Sequence, residues 1–387
     1  MVRLADGVCC RSFRGSGGDS EHYLVVDAPP YRDLQTQLVC LAGRHREALE
    51  SLRLPPESAV FRRLFVSDVA NQTAQICQTE LCTPANGNPV AVSLVQQPPA
   101  NGSKIAMLAY HRHGPSPLRK RALGPHHLLV ESNALGHLWS TRLCAHDDKG
   151  PGSAARQTHA IFDELVDVLG ANGATLAEHC VRTWIFVKDV DVFYQDMVAA
   201  RSALFARHGL TRDTHYLAST GIEGACTHRY DLVFMDAYSI LGLMPAQMSY
   251  LNDFGQLCAT KDYDVTFERG TRIGYADRAH HFISGTASID ARGAVVHAGD
   301  VERQLGHALD NVAALLRSGG AQLENMTHFI VYLRDPSDHD RIDARLAERF
   351  PEIPRLLVQG AVCRPQWLVE VEGIAAVACE DPRLPAF

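Results

Sequence analysis

Three stretches of the chain share one pattern of apolar and polar positions. Each ends in a run of β-branched, aromatic and other apolar residues closed by an acidic turn: VFRRLFVSD at Asp68, VRTWIFVKD at Asp189 and THFIVYLRD at Asp335. Such runs predict strands of a sheet covered by helices. Ahead of each lies an amphipathic stretch opened by a glutamine, Gln37, Gln157 or Gln304, placed 31 or 32 residues before its aspartate. Within these stretches apolar residues recur at three and four positions, as in Ile161, Leu165, Val168 and Leu169 or Leu305, Leu309, Val312 and Leu316. That spacing predicts one-faced helices packed on a sheet.

A second helix is expected after the aspartate in copies two and three (VFYQDMVAARSALFARHG, HDRIDARLAERF), with two more strands behind it. The last strands are KIAMLAYHR, DLVFMDAYSI and WLVEVEGIAAV, and the first are EHYLVVDAPP, HLWSTRLCA and HFISGTASI. The repeating unit reads strand, strand, helix, strand, helix, strand, strand, an α+β fold built from three tandem mixed sheets, each covered by two helices. The boundaries this implies are a disordered N-terminus over 1–20, units at 21–113, 137–241 and 265–387, and linkers at 114–136 and 242–264. Gly114, Pro115, Pro117, Gly124 and Pro125 argue against continuous helix or central strand in the first linker, and Pro245 falls in the second.

Composition narrows the partners. At 387 residues and 46% hydrophobic content the chain can bury substantial cores. A formal charge of −7 and a pI near 6.2 give no attraction to phosphate backbones or anionic membranes. His111, Arg112, His113, Arg119, Lys120 and Arg121 form a basic segment with few interleaved aromatics, which reads as solvated surface and not as an RNA-binding patch. No stretch has the length and apolarity of a signal peptide or membrane span, and eleven scattered cysteines fit reduced thiols in a cytoplasm. The expected partner is a small molecule. No dinucleotide or nucleotide glycine loop appears, and the pairs His126–His127 and His280–His281 lack metal-ligand spacing with a carboxylate or thiolate. No cofactor and no metal are expected.

ISGTASI at 283–289, Gly299–Asp300, Gln304, Asn311, Gly320–Ala321, VYLRD and VEVEGIA resemble the Rid (YjgF-like) family closely over about 265–380 and less closely over 135–240. The resemblance implies the chorismate-mutase-like fold of that family, trimers of one unit with small-molecule sites between subunits, and hydrolysis of reactive imines or enamines. Three fused copies would form a pseudo-trimer from one chain, as a monomer or a higher homo-oligomer. ISGTASI, ASTGIEG at 218–224 and VCRPQWLVEVEG at 362–373 also look like chorismatases, which release pyruvate from chorismate. A third alternative is a non-catalytic protein that binds a small carboxylate on the same scaffold.

The resemblance places two groups. Arg355 matches the arginine that grips a substrate carboxylate, a task suited to a planar two-pronged guanidinium; the bland alternative is a structural ion pair near Glu352 or Glu372. Glu372 matches the glutamate that orients water or moves protons. Strand alternation puts Glu370 on the same face, so either acid could be the exposed one. Gly285 and Thr286 would bring backbone amides close to a ligand. Counting back from Gly360 and Gly221, Tyr216 stands where Arg355 does, and Asp236 stands where Glu372 does. Leu357 replaces a cysteine often found in the family. Only copy three holds both arginine and glutamate, so one or at most two sites per chain are expected, with Tyr216 and Asp236 as neighbouring contributors.

Overall fold

The computed structural model describes residues 2–83, 87–146, 152–260 and 265–387. In it the three sequence units become three six-stranded mixed sheets with one strand order. The first holds β1 (Val2–Ala5), β2 (Val8–Arg14), β3 (Ser20–Asp27), β4 (Ala59–Val66), β5 (Ala91–Gln96) and β6 (Ile105–His113), in the order β1-β2-β3-β6-β4-β5, with α1 (Leu34–Leu52) and α2 (Val69–Cys77). The second holds β7 (Arg119–Ala122), β8 (His127–Ser132), β9 (Leu135–Cys144), β10 (Cys180–Val187), β11 (Ala218–Glu223) and β12 (Val233–Leu241), with α3 (Ala154–Ala171), α4 (Leu176–His179) and α5 (Val190–Arg207). The third holds β13 (Met248–Tyr250), β14 (Gly270–Gly274), β15 (Arg278–Ala287), β16 (Met326–Leu333), β17 (Arg355–Gln359) and β18 (Val369–Ala378), with α6 (Val301–Ser318) and α7 (His339–Arg349). The expected α+β class and three-unit arrangement are therefore found. Each unit has six strands where five were expected, the additional one leading at the sheet edge.

The strands read as continuous apolar runs because both faces are buried. In β3, Tyr23 and Val25 join a central aromatic-rich core shared by all three units, whereas Leu24 and Val26 face α1. The three sheets thus meet by their inner faces and carry their helices outside. The repeating glutamine has a physical role in this unit. Gln37, Gln157 and Gln304 are buried, and their carbonyl oxygens accept from the backbone amides of Lys104 (2.7 Å), Leu232 (2.6 Å) and Leu368 (2.8 Å). Each amide ties the first turn of the large helix to the start of the last strand.

Three expectations are corrected. The described residues 2–20 are not a disordered tail: β2 pairs with β3 from Val8↔Val26 to Arg14↔Ser20, and Val8 and Cys10 sit in the helix-side core. Gly7 and Gly18 occupy positive-φ turn positions at 70° and 84°. The segment 114–136 holds β7 and β8, and 242–264 holds β13, so the proline- and glycine-rich stretches mark turns between edge strands; residues 261–264 lie outside the described residues. His111 and Arg112, assigned to solvated surface, are buried on β6, and His280 is buried near the start of β15.

Where the sheets meet, each unit offers a buried carboxylate to an arginine of the preceding one. Asp236 of β12 accepts from Arg63 of β4 (Nη2, 2.8 Å; Nε, 3.1 Å). Glu372 of β18 accepts from Arg182 of β10 (2.7 Å). Glu21 of β3 closes the circle, accepting from Arg278 (2.8 Å) on β15 with His280 at 3.0 Å. Burial alone would raise the Glu21 carboxyl, but His280 and Arg278 hold it well below the usual carboxylate range. A cavity of about 30 Å³ between the inner faces, lined by Tyr110, Trp139, Trp184 and Tyr238 among others, has room for about one water.

Stripping one partner from such a pair leaves a buried charge unmatched, so Arg63→Met should destabilise the protein by about 3–5 kcal/mol. The double variant Arg63→Met/Asp236→Leu should recover most of that loss. Denaturant unfolding of the two single variants and the double variant measures both effects, and additive losses would show that the pair is not coupled.

Candidate active site

Strand β18 presents Glu370 and Glu372 on one face, as alternation requires, and neither is exposed: their accessibilities are 5% and 2%. They are held in different ways. Glu372 is saturated by donors. Besides Arg182, its oxygens accept from Trp184 Nε1 (2.9 Å), Tyr332 OH (2.9 Å) and the hydroxyl of Thr220. Thr220 in turn accepts from the Gly285 amide (2.8 Å). A carboxyl group so bound is fixed in place and fastens unit 3 to unit 2.

Glu370 lies on the other side of this anchor. Burial, and then the nearby charge of Glu372, push its pKa up to about 8, against a weaker pull from Arg182 and Arg269. It is protonated at neutral pH and can donate a proton. Gly285 is what leaves it room: a β-carbon there would stand 2.1 Å from Glu370 Oε1 and 3.0 Å from Thr220 Cγ2. The glycine thus accommodates the acid, where the sequence suggested a close approach to ligand.

Glu370 faces a cavity of about 270 Å³ between units 2 and 3. Tyr194, Arg201, Arg269, Cys363 and Arg364 also line it. Arg201 sits in α5 with 1% accessibility; its Nε donates to Thr266 Oγ1 (3.1 Å), and its Nη2 is buried with no hydrogen-bond partner among the described residues. Burial lowers its pKa from the ordinary arginine value. An unsatisfied guanidinium N–H is costly to bury, and an oxygen atom placed in the cavity would satisfy it. Cys363 and Tyr194 are hydrogen-bonded to each other, and burial pushes the Cys363 thiol up to about 12, which makes it a poor nucleophile.

The other residues singled out from sequence lie elsewhere. Arg355, at the start of β17, pairs through Nε with Asp343 Oδ1 (2.6 Å) of α7 and does not line the cavity. Thr286 is buried and donates to the Ser284 carbonyl (2.9 Å). Tyr216 receives a carboxylate contact from Glu268 at its amide (2.9 Å) and stacks near Phe205. Asp236 belongs to the Arg63 pair of the unit 1–unit 2 seam. The match of Tyr216 with Arg355 is also three residues out. Arg355 pairs with Phe329 and Ser219 with Thr183, so Ser219 is the counterpart. The slip came from equating Gly221 with Gly360; it is Gly224 that bonds Val187 O as Gly360 bonds Leu333 O.

Register also shows why the seams differ. Glu370 lies opposite Tyr332, and the equivalent pairs are Phe234 with Phe186 in unit 2 and Ala106 with Phe65 in unit 1. Among the described seams, the acid stands only between units 2 and 3. Sequence reasoning missed Arg201, a lone arginine in a helix that reads as surface. It passed over Cys363 and Arg364 although both fall within VCRPQWLVEVEG.

Three sheets of one topology in one chain, with an acid-and-arginine cavity at a seam, define a fused pseudo-trimer with a cavity between its units. The family model described as endoribonuclease L-PSP matches residues 275–377, within unit 3. A curated relative, 3-aminoacrylate deaminase RutC of Acinetobacter baylyi, is 34% identical over 98 residues, spanning 25% of this chain and 78% of RutC. The chain belongs to the Rid family. A crystal structure of a chorismatase matches 95% of this chain and 98% of its own length with a TM-score of 0.63 at 19% identity, a likeness of fold. Among the described residues no helix is long and apolar enough to cross a membrane.

A raised carboxyl pKa carries a stability signature. Because the folded state holds the Glu370 proton more tightly than the unfolded chain, this group's contribution falls as pH rises from about 4.5 through about 8. Glu370→Gln should therefore gain stability relative to the parent over that range, and melting temperatures measured across it check the sign. Gly285→Ala should re-aim Glu370 and cut activity much more than stability, as paired melting and turnover measurements would show.

Proposed function

We propose that the chain is a cofactor-independent enzyme that protonates and hydrolyses a small enol ether or enamine bearing carboxylates, at the seam between units 2 and 3. The observation that carries this reading is a buried carboxyl group, its pKa pushed up by burial and by Glu372, facing an arginine-lined cavity. Arg201, with its unsatisfied Nη2, supplies a carboxylate anchor, and Arg269 and Arg364 add positive charge along the same wall. Glu370 donates its proton to the terminal carbon of the double bond, and cationic character develops at the carbon bearing oxygen or nitrogen. Water adds at that carbon. An enol ether then yields a keto acid and an alcohol, and an enamine yields a keto acid and ammonia. Glu372 acts as a positioning residue, because its charge adds to burial in raising the Glu370 pKa and its hydrogen bond fixes Thr220, which in turn holds the Gly285 amide.

Chorismate-type enol ethers are favoured among substrates. A cavity with three arginines suits a molecule with two carboxylates, and the fold likeness to a chorismatase runs along nearly the whole chain. The enamine chemistry is supported by the relative named as an aminoacrylate deaminase, whose likeness covers about one unit.

Purified protein offered chorismate, or iminoacids and enamines generated in place, should release pyruvate from the first or ammonia from the others. Glu370→Gln should lower kcat by roughly 10²–10⁴. Arg201→Met should chiefly raise KM, and Arg355→Ala should leave turnover close to the parent. Activity should decline as pH rises through about 8, where Glu370 ionises. Binding without turnover of any of these substrates would assign the scaffold to ligand capture, and turnover indifferent to Glu370→Gln would remove the acid from the mechanism.

A further inference from the structure

The seam between units 1 and 2 has lost the acid but gathered a different set of groups. Cys144 closes β9 and His146 follows it; Cys226 and His228 lie in the loop between β11 and β12; Asp231 leads into β12. The sequence thus carries Cys-x-His twice, 144–146 and 226–228, and β9 pairs with β12 at Cys144↔Phe234, which brings both segments to one end of the second sheet. The expectation of no metal rested on adjacent histidine pairs and passed over this spacing.

The side chains converge on one buried carboxylate. Asp231 Oδ2 lies 2.8 Å from His146 Nδ1 and 3.1 Å from Cys226 Sγ, while its Oδ1 faces His228 Nδ1 at 3.3 Å. Cys144 Sγ is 3.5 Å from His146 Nε2. Donor atoms of Cys144, His146 and Asp231 can all lie within 4.8 Å of one another. Bonds of about 2.0–2.3 Å to a tetrahedral zinc ion set neighbouring donors roughly 3.3–3.8 Å apart, a span close to that of Cys144, His146 and Asp231; Cys226 stands outside that group of three but touches its carboxylate, and would have to move in as the fourth donor. Two sulfurs, an imidazole and a carboxylate form a donor set that zinc accepts and that hard cations do not prefer. Asp231 is fully shielded while His146 is 55% exposed, which leaves an entry path from solvent.

We propose that Cys144, His146, Cys226 and Asp231 bind one thiophilic divalent cation, zinc foremost, with His228 holding the second oxygen of Asp231 from outside the coordination sphere. Binding expels the two thiol protons to solvent and replaces the present hydrogen bonds by metal–ligand bonds. The ion fastens the β11–β12 loop to β9. That loop also carries the contact to unit 1, where Ala225 O accepts from Gln96 N (2.8 Å) and Thr227 Oγ1 lies 3.4 Å from Thr73 Oγ1. In unit 3 the corresponding loop supplies Cys363 and Arg364 to the substrate cavity. The same loop position would therefore bind substrate at one seam and a structural ion at another.

The full chain, stripped by a chelator and titrated with Zn²⁺ or Co²⁺, should bind one equivalent tightly, and the Co²⁺ form should show thiolate-to-metal charge-transfer absorption. Cys226→Ser should weaken binding by at least about tenfold and diminish that absorption. His146→Ala, at an exposed position that does not endanger folding, should weaken binding to a similar degree. Neither change should alter the pH dependence of any turnover that rests on Glu370, so this site and the substrate cavity can fail independently. Absence of a stoichiometric ion, or affinity unchanged in both variants, would overturn the proposal.

Discussion

Three buried arginine–carboxylate pairs govern how the sheets of this chain can meet. An inner face made only of aromatic and aliphatic side chains would tolerate many relative rotations. A guanidinium and a carboxylate taken out of water tolerate very few, because any misplacement leaves a desolvated charge without its partner. The pairs run in one direction around the molecule, with unit 2 offering its acid to unit 1, unit 3 to unit 2 and unit 1 to unit 3. The third uses Glu21 on β3 in place of a β6 residue, since the corresponding position on β6 is Leu108. One direction is kept although the residues that carry it differ.

The same constraint produces the chemistry. Arg182, Thr220, Trp184 and Tyr332 fix Glu372 in place, and its charge acts at short range on Glu370, which has lost much of its own solvation. Two carboxyl groups two residues apart on one strand thereby take different roles, one held in a structural ion pair, the other raised in pKa beside a cavity. The anchor and the acid cannot be exchanged without rebuilding the seam. At the other seams Phe234 and Ala106 replace the acid, and those interfaces were free to take other roles.

Much of the fold was legible because repetition is a strong signal. The glutamines at 37, 157 and 304, the acidic turns at 68, 189 and 335 and the paired apolar periodicities all correspond to one unit seen three times. The edge strands were not legible. β2, β7 and β13 are short, border on glycine or proline and bury few residues, so their local sequence resembles a tail or linker until a neighbouring strand pairs with it. Of the site, Glu370 and Glu372 could be read as sharing a face, but not which was anchored. That depended on Arg182 and Trp184, whose separation in sequence from Glu372 gives no hint of contact.

The chain's own order of residues determined the three units, their helices and central strands, and the burial of both strand faces, since these follow from local periodicity and from glutamines that bond within a unit. Tertiary structure alone decided which arginine meets which acid, that Arg355 is spent on Asp343, and that Arg201, Glu370 and Gly285 converge on one cavity. Those outcomes rest on contacts between units. Desolvation and Coulomb energy at such contacts depend on distance in space, and the spacing of residues along a chain does not encode that distance.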